Sequence, residues 1–328
     1  MSQLLGVRVA GTGSYLPKRV VTNDDLSKVL DTSDEWIRSR TGISQRHFAA
    51  PDEAASDMAI EACRNAIEAA GVAPSDVDLV ICCTMTPDHI IPSTAALIAR
   101  GLELENAGGF DLNTACTGFV TGMTCATSYV RAGLAKNVLL VASERMTTYV
   151  DPDDRQTAVI FADGSGAVLL QPASGGSDVL ATRMGMRGDD TTLVIPAGGS
   201  RMPVTPEVIE RRDHYIKMKG RETFRFAVRT FADLITGTCE DAGITTDQLK
   251  IVVPHQVNQR IFEAAAERCK ISLDRCAVNI DRVGNTSGAS VPIALDEAVR
   301  AGRIESGDLV LMIAFGAGLS WAGILLRW

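Results

Sequence analysis

The segment Gly71-Val-Ala-Pro-Ser-Asp-Val-Asp-Leu-Val-Ile81 recurs without a gap, 172 residues later, as Gly243-Ile-Thr-Thr-Asp-Gln-Leu-Lys-Ile-Val-Val253. Both copies follow a helical pattern that ends in Ala-Gly, and both lead into a β-branched strand. A second pair sets Asn137-Val-Leu-Leu-Val-Ala-Ser143 against Asp308-Leu-Val-Leu-Met-Ile-Ala314. A Gly-rich turn and a closing strand follow each one, Gly166-Ala-Val-Leu-Leu170 and Gly323-Ile-Leu-Leu326. Recurrence at a fixed spacing is the mark of a duplicated unit. Two related halves of about 170 residues are therefore expected, 1–174 and 175–328, meeting near Pro172-Ala-Ser-Gly-Gly-Ser177.

Within each half, short continuous apolar strands alternate with helical patterns at 57–70, 119–132, 220–242 and 259–269. Strands that are apolar at every position, rather than at alternate ones, belong to sheets covered on both faces. The expected fold class is α/β, with helices layered between and around two mixed sheets. The stretch 197–212, with two Pro, two Gly and several charges, reads as a surface loop or insertion.

Composition narrows the function classes. Hydrophobic residues make up 46% of the 328, enough for a substantial core. A net charge of −8 argues against nucleic acid or an anionic membrane as partner. No segment approaches the roughly 18 apolar residues of a membrane span. The start, Met1 to Gly11, has no basic region followed by a secretory apolar stretch and reads as a first strand entering a glycine turn. Eight cysteines form no Cys-x-x-Cys pair and have no His at metal spacing, so no metal site is expected. Free thiols without a leader suggest a reducing, cytoplasmic setting.

One thiol stands apart, Cys116 in Asp111-Leu-Asn-Thr-Ala-Cys116-Thr-Gly-Phe-Val120, where an apolar segment ends and a helical pattern begins. A thiol at such a junction faces the positive end of the helix macrodipole and free backbone N–H groups, which favour thiolate. Small neighbours leave room for an acyl group, and the free amides could hold an oxyanion. Downstream come His255 in Val253-Pro-His-Gln256 and Asn285 in Asp281-Arg-Val-Gly-Asn285-Thr-Ser-Gly288. The order Cys, His, Asn suggests covalent thioester chemistry or a papain-like cysteine protease. The protease is disfavoured by a Cys far from the N-terminus, in the context Thr-Ala-Cys-Thr-Gly.

Eight segments carry a resemblance to a family. They are Gly11-Thr-Gly-Ser-Tyr-Leu-Pro17, Thr32-Ser-Asp-Glu-Trp-Ile37, Arg40-Thr-Gly-Ile43, the Cys116 segment, Phe161-Ala-Asp-Gly-Ser-Gly166, Val253-Pro-His-Gln256, Gly284-Asn-Thr-Ser287 and Ala314-Phe-Gly-Ala-Gly318. In this order, on a duplicated chain, they resemble the thiolase-fold condensing enzymes and specifically β-ketoacyl-acyl carrier protein synthase III.

The resemblance implies a thiolase-like fold and an acyl-cysteine mechanism. Cys116 would take an acyl group from acyl-CoA, and malonyl-acyl carrier protein would then lose CO₂ and attack it. The backbone amides of Cys116 and Ala317 would form the oxyanion hole. His255 and Asn285 would donate hydrogen bonds to the malonyl thioester oxygen, and Phe315 would crowd the malonyl carboxylate. Trp36 and Arg40 would sandwich the CoA adenine, with Thr32, Arg155 and Asn258 touching nucleotide or pantetheine. Arg225 and Arg260 would dock the carrier protein, helped by a local excess of five positive charges at 211–229. The family's enzymes are cytoplasmic homodimers without cofactor, so Ile91 would reach the partner's acyl pocket.

Three positions depart from the commonest family pattern: Thr114, Ala317 where a third glycine is common, and Ile91 where Phe is frequent. Ala317 is tolerable only at negative φ. A related ketosynthase of a specialised-metabolite pathway stays open. A hydroxymethylglutaryl-type enzyme would need a Glu near Cys82-Cys-Thr-Met-Thr86, and the sequence places none there.

Overall fold

The computed structural model describes residues 5–173 and 175–328. Residues 1–4, at the head of the expected first strand, and Ser174, at the division drawn between halves, lie outside the described residues.

Five strands form the first sheet: β1 (Gly6–Tyr15), β2 (Leu79–Cys83), β3 (Gly108–Leu112), β4 (Val138–Arg145) and β5 (Asp163–Ala173), in the order β1-β5-β4-β2-β3. Four form the second: β6 (Asp178–Asp189), β7 (Ile251–Pro254), β8 (Leu309–Gly316) and β9 (Gly318–Arg327), in the order β7-β8-β9-β6. Reading β6-β9-β8-β7 against β1-β5-β4-β2 recovers the duplication, with the same antiparallel, antiparallel, parallel pairings. What corresponds to β3 in the second half is a single parallel bridge, Val252 to Cys276. Both sheets are thus mixed, as the two kinds of strand linkage require.

The strands β2 and β8 are buried at every residue, so each needs cover on both faces. Helices α3 (Gly118–Arg131) and α6 (Ser290–Arg300) lie between the sheets. There Phe119, Met123 and Val291, Leu295 share one core with Ile81 and Leu140 of the first sheet and Val253 and Met312 of the second. Helix α2 (Ala55–Ala70) covers the outer face of the first sheet through Met58, Ala62 and Ala66. Helices α4 (Gly220–Asp241) and α5 (Gln259–Arg268) cover the second through Phe231, Ile235 and Phe262. The helix ends fall within two residues of the sequence reading, which is the ordinary scatter of terminal turns.

Two details tie the layers together. Asp296, buried on α6, accepts hydrogen bonds from Thr12 (2.7 Å) and Ser14 (2.6 Å) of β1 and pairs with Arg300. Where β1 runs under α2, a Cβ added to Gly11 or Gly13 would stand 2.3 Å from the carbonyl oxygen of Ala66 or Ala62, so the Gly-Thr-Gly segment lets helix and strand touch backbone to backbone.

The stretch expected to be a surface loop is more than that. It carries a short helix, Pro206–Glu210, and is flanked by the paired strands Leu193–Val194 and Lys217–Met218. Its flanks turn inward: Ile216 is buried, and Ile195 and Ile216 both line an internal cavity. Among the described residues, no helix is long and apolar enough to cross a membrane.

Gly13→Ala should lower stability by about 1–3 kcal/mol, the usual cost of overpacking. Gly220→Ala, with nothing within 4 Å of the added carbon, should leave thermal unfolding near that of the parent. Calorimetric melting of both variants checks the contrast.

Candidate active site

Cys116 sits in a 3₁₀ turn, Ala115–Thr117, between β3 and α3. Ala115 takes a left-handed conformation (φ 49°), a strained choice for a residue with a Cβ that the surrounding packing must hold. The thiol is 6% exposed. Its Sγ lies 3.4 Å from Ser287 Oγ, and the backbone amides of Cys116 and Ala317 are directed at it. The turn joining β8 to β9 supplies Ala317 and comes very close: a Cβ on Gly316 would be 2.9 Å from Cys116 Cβ and 3.0 Å from its nitrogen. Ala317 stays out of the left-handed region, while Gly318 (φ 75°) and Leu319 (φ 45°) adopt it. Alanine is therefore accommodated where glycine is common.

The expected thiolate is overturned. Burial, with a smaller contribution from the charge of Glu144, outweighs the hydrogen bonds from Ser287 and the two amides and pushes the Cys116 thiol up to about 11. Desolvation outweighs the helix end because, among the described residues, no cation acts on the sulfur.

His255 ends β7 and is completely buried, which pushes its imidazole down to about 3 and keeps it neutral. Its Nδ1 is 2.6 Å from Ser290 Oγ, and that oxygen already accepts from the Gln256 amide at 3.3 Å. With the hydroxyl hydrogen donated to Nδ1, the single ring proton sits on Nε2. Nε2 has no protein partner among the described residues. The ring thus presents an uncharged donor.

Asn285 follows Gly284, whose backbone (φ 75°, ψ −167°) excludes a side chain; a Cβ there would be 3.0 Å from both Ala162 and Arg46. Asn285 is held by a parallel bridge to Phe161, with its nitrogen donating to Ile160 O and its carbonyl accepting from Ala162 N. Its side-chain Oδ1 accepts from Ser287 N at 2.9 Å, which leaves the NH₂ end to donate. Phe315 on β8 packs edge-on to His255 (5.8 Å between ring centres) and Phe231 (5.0 Å), so its ring is fixed.

A narrow cavity of about 40 Å³ opens at Cys116. Met85, Met146, Phe161, Leu193, Ile195 and Ile216 wall it, so it is almost wholly apolar. Ile91 does not reach it. That residue is 84% exposed and its neighbour Ile90 is 91% exposed, two large apolar side chains on one loop.

The expected CoA residues gather at the helix Asp34–Thr41. The Arg40 and Arg155 guanidinium groups both lie over the Trp36 ring, at 4.7 and 5.0 Å, so Arg155 shares the stacking role expected of Arg40 alone. Arg155 is tied to Asp31 through the backbone carbonyl at 2.7 Å. Asn258 donates to the Arg40 carbonyl (2.7 Å) and accepts from Arg260 N, capping α5, so its amide joins this corner to the second half. The Thr32 hydroxyl is buried without a partner among the described residues. Arg260, expected to dock a carrier protein, lines the same surface groove as Trp36 and Arg40. Arg225 is exposed on α4. The surrounding basic run is less free than its charges suggested, because Arg211, Arg212 and Arg229 pair with Asp213, Asp151 with Asp153, and Asp233.

Three functional candidates escaped the sequence reading. Ser287 lies within the quoted Asn285 motif but was given no role there, and Ser290 follows it. Glu144 is the penultimate residue of β4, and a buried acidic residue at the end of an otherwise largely apolar strand is the signal that could have found it. The sequence placed no Glu beside Thr84-Met85-Thr86, yet the fold does: Glu144 accepts from Met85 N (3.1 Å), Thr86 Oγ1 (3.0 Å) and Thr84 Oγ1 (3.3 Å). Parallel pairing of β2 with β4 brings the two strand ends side by side.

Comparison with known proteins gives a consistent result. The family described as 3-oxoacyl-[acyl-carrier-protein (ACP)] synthase III matches residues 110–188, and its C-terminal counterpart matches 239–328. The β-ketoacyl-[acyl-carrier-protein] synthase III of Caldanaerobacter subterraneus subsp. tengcongensis is 43% identical over 329 residues, spanning 100% of this chain and 99% of that one. That of Symbiobacterium thermophilum is 45% identical, spanning 98% of both. Among solved structures, the 3-oxoacyl-[acyl-carrier-protein] synthase III from Aquifex aeolicus superposes with a TM-score of 0.92 at 42% identity, covering 98% of this chain and 100% of that one. The priming β-ketosynthase from the R1128 polyketide biosynthetic pathway has a TM-score of 0.91 at 37% identity, covering 99% and 97%.

A histidine kept neutral by burial makes stability sensitive to acid. The unfolded imidazole binds its proton near 6.5 and the folded one only near 3, so stability falls as pH drops through that window. Between pH 7 and pH 5 this costs about 2 kcal/mol. His255→Gln, whatever its absolute stability, should show an acid limb shallower by roughly that amount, measured by urea unfolding across the pH range.

Proposed function

The chain belongs to the 3-oxoacyl-[acyl-carrier-protein] synthase III family, and from that premise we propose that it condenses an acyl-CoA primer with malonyl-acyl carrier protein to start fatty acid biosynthesis. One set of observations carries the mechanism: a buried thiol with two amide N–H groups aimed at it, a buried neutral histidine, and an asparagine whose amide nitrogen is free to donate.

Each step follows from those groups. Cys116 Sγ attacks the acyl-CoA carbonyl, and the amides of Cys116 and Ala317 receive the developing oxyanion. The C–S bond to CoA breaks, and the thiol proton leaves on the CoA sulfur. Malonyl-acyl carrier protein then replaces CoA. Its C–C bond to the carboxylate breaks, CO₂ departs, and the electron pair is delocalised onto the thioester oxygen. His255 Nε2–H and the Asn285 amide donate to that oxygen, and their neutrality suits an interior that disfavours charge. Phe315, immobilised by Phe231, presents an apolar ring where the carboxylate would sit. The carbanion attacks the acyl carbon, the C–S bond to Cys116 breaks, and the sulfur regains a proton. The chemistry calls on no metal and no cofactor.

A papain-like reading requires an imidazolium beside a thiolate. Burial pushes both groups toward their neutral forms, which argues against it. The R1128 relative keeps a second reading alive, the same reaction feeding a specialised pathway. Primer choice bears on that, and the apolar cavity fits a short acyl chain. Trp36 with Arg155 and Arg40 would receive the CoA nucleotide, with Thr32 and Asn258 nearby, in a cytoplasmic enzyme. Arg225 and Arg260 would meet the acidic carrier protein, long-range charge being suited to guiding such an encounter. The exposed Ile90 and Ile91 fit burial against a second copy of the chain.

With radiolabelled acyl-CoA, label should appear on the peptide containing Cys116 and vanish in Cys116→Ala. His255→Ala and Asn285→Ala should keep self-acylation but lose on the order of 10²–10³ in condensation rate, as removal of one oxyanion donor does. Label retained in Cys116→Ala would overturn the mechanism.

For the primer pocket, Ile91→Phe should narrow use from four- and five-carbon primers toward acetyl-CoA. A methylene in such a pocket discriminates by roughly 1–3 kcal/mol. Competition among acyl-CoAs measures it, and a parent enzyme that already rejects butyryl-CoA would refute the assignment.

A further inference from the structure

Glu144 has no part in the condensation just described, yet it is 1% exposed and its carboxyl adjoins the turn whose Ser287 touches the nucleophile. Its carboxylate is satisfied by donors alone. Oε2 accepts from Met85 N, Thr86 Oγ1 and Thr84 Oγ1, and the Gly288 amide also donates to the group. Among the described residues it forms no ion pair. Arg145, next along β4, sends its guanidinium to the Ala50 and Pro51 carbonyls instead.

The segments it clamps are the ones that confine the thiol. Ser287, in the left-handed region (φ 51°), holds its hydroxyl 3.4 Å from Cys116 Sγ and 3.8 Å from Met85 Sδ. Gly288 and Met85 flank that contact, and both have their amides on Glu144. A Cβ at Gly288 would stand 3.2 Å from Ala115 O and 3.4 Å from Glu144 Oε1, so the carboxyl, the Ser287 turn and the Cys116 turn are in direct succession.

We propose that Glu144 is a positioning residue that locks the Met85 and Ser287 turns around Cys116 and whose charge, once the carboxyl ionises, opposes ionisation of the thiol. The thiol would then react only when a bound thioester can carry its proton away on the leaving sulfur, and stray electrophiles would meet an unreactive SH. Burial pushes the Glu144 carboxyl up to about 8, so its charge is present on the alkaline side of neutrality, where a thiol would otherwise begin to ionise. The titratable groups that feel it are Cys116 from the turn before α3 and Cys82 and Cys83 from β2. Asp111 on β3 acts on the same Cys83, and Arg145, next to Glu144 in the chain, acts on Asp163 of β5. The inference rests on Cys116 being the acylated nucleophile, but its test reads the thiol directly and is separate from turnover.

The measurement is the pH dependence of iodoacetamide alkylation of Cys116 in the full-length protein, followed by mass spectrometry of the Cys116 peptide. Glu144→Gln should move the midpoint down by about one unit, which is about tenfold faster alkylation above the Glu144 titration, at about pH 9, with little change at pH 7 where the parent carboxyl is mostly protonated. Glu144→Asp, which retains the charge, should keep the parent midpoint even if acylation slows. An unchanged midpoint in folded Glu144→Gln would overturn the charge coupling. Equal shifts in Gln and Asp variants would reduce Glu144 to a packing role. Should Glu144→Gln fail to fold, Thr86→Val decides. Removing one donor weakens the carboxylate, so alkylation should speed up in the same direction by less; no change would overturn the proposal.

Discussion

Two 3₁₀ turns placed against each other between the sheets, Ala115–Thr117 and Ser287–Ala289, are the point on which the rest of the structure depends. They stand 172 residues apart, at the spacing of the duplicated segments, and each opens on a non-glycine residue in the left-handed region, Ala115 at φ 49° and Ser287 at φ 51°. Each leads into one of the two central helices, which are buried too deeply to shift independently. The strain in both turns is tolerable because sheet, helix and facing turn over-determine their positions. Duplication thus did more than double the fold. It brought two equivalent turns face to face, and divergence gave one a thiol and the other the hydroxyl that touches it.

Electrostatics at this junction is governed by desolvation. Burial moves the thiol, the imidazole and the carboxyl each toward its neutral form. Such a site suits a reaction in which charge appears only in passing, on a thioester oxygen, and is met by uncharged donors already in place. It does not suit proteolysis by a standing ion pair. Exposed cations gather at the rim, with Arg40 and Arg155 on Trp36 and Arg260 in the same groove.

Much of this was legible along the chain. The 172-residue recurrence and the continuously apolar strands gave two halves, mixed sheets and buried central helices. The short motifs around Cys116, His255 and Asn285 marked where chemistry gathers, because tight turns and close backbone approaches demand particular small residues. Gly316 and Gly284 are examples, each standing where any Cβ would collide. The stretch 197–212 misled because its composition is that of a loop, while its apolar flanks Ile195 and Ile216 acquire meaning only when folded over a cavity.

By itself the sequence determined the architecture and the residue types available for catalysis, since periodicity, duplication and steric exclusion are local properties of the chain. Tertiary structure alone decided the protonation of those residues and their company. Whether Cys116 is thiol or thiolate depends on how much water the distant Ser287 and Ala317 segments exclude, and on a carboxylate arriving from the end of β4. Which nitrogen of His255 carries the proton depends on Ser290, 35 residues away. Burial and through-space charge are sums over neighbours that are remote in sequence, and no linear pattern encodes them.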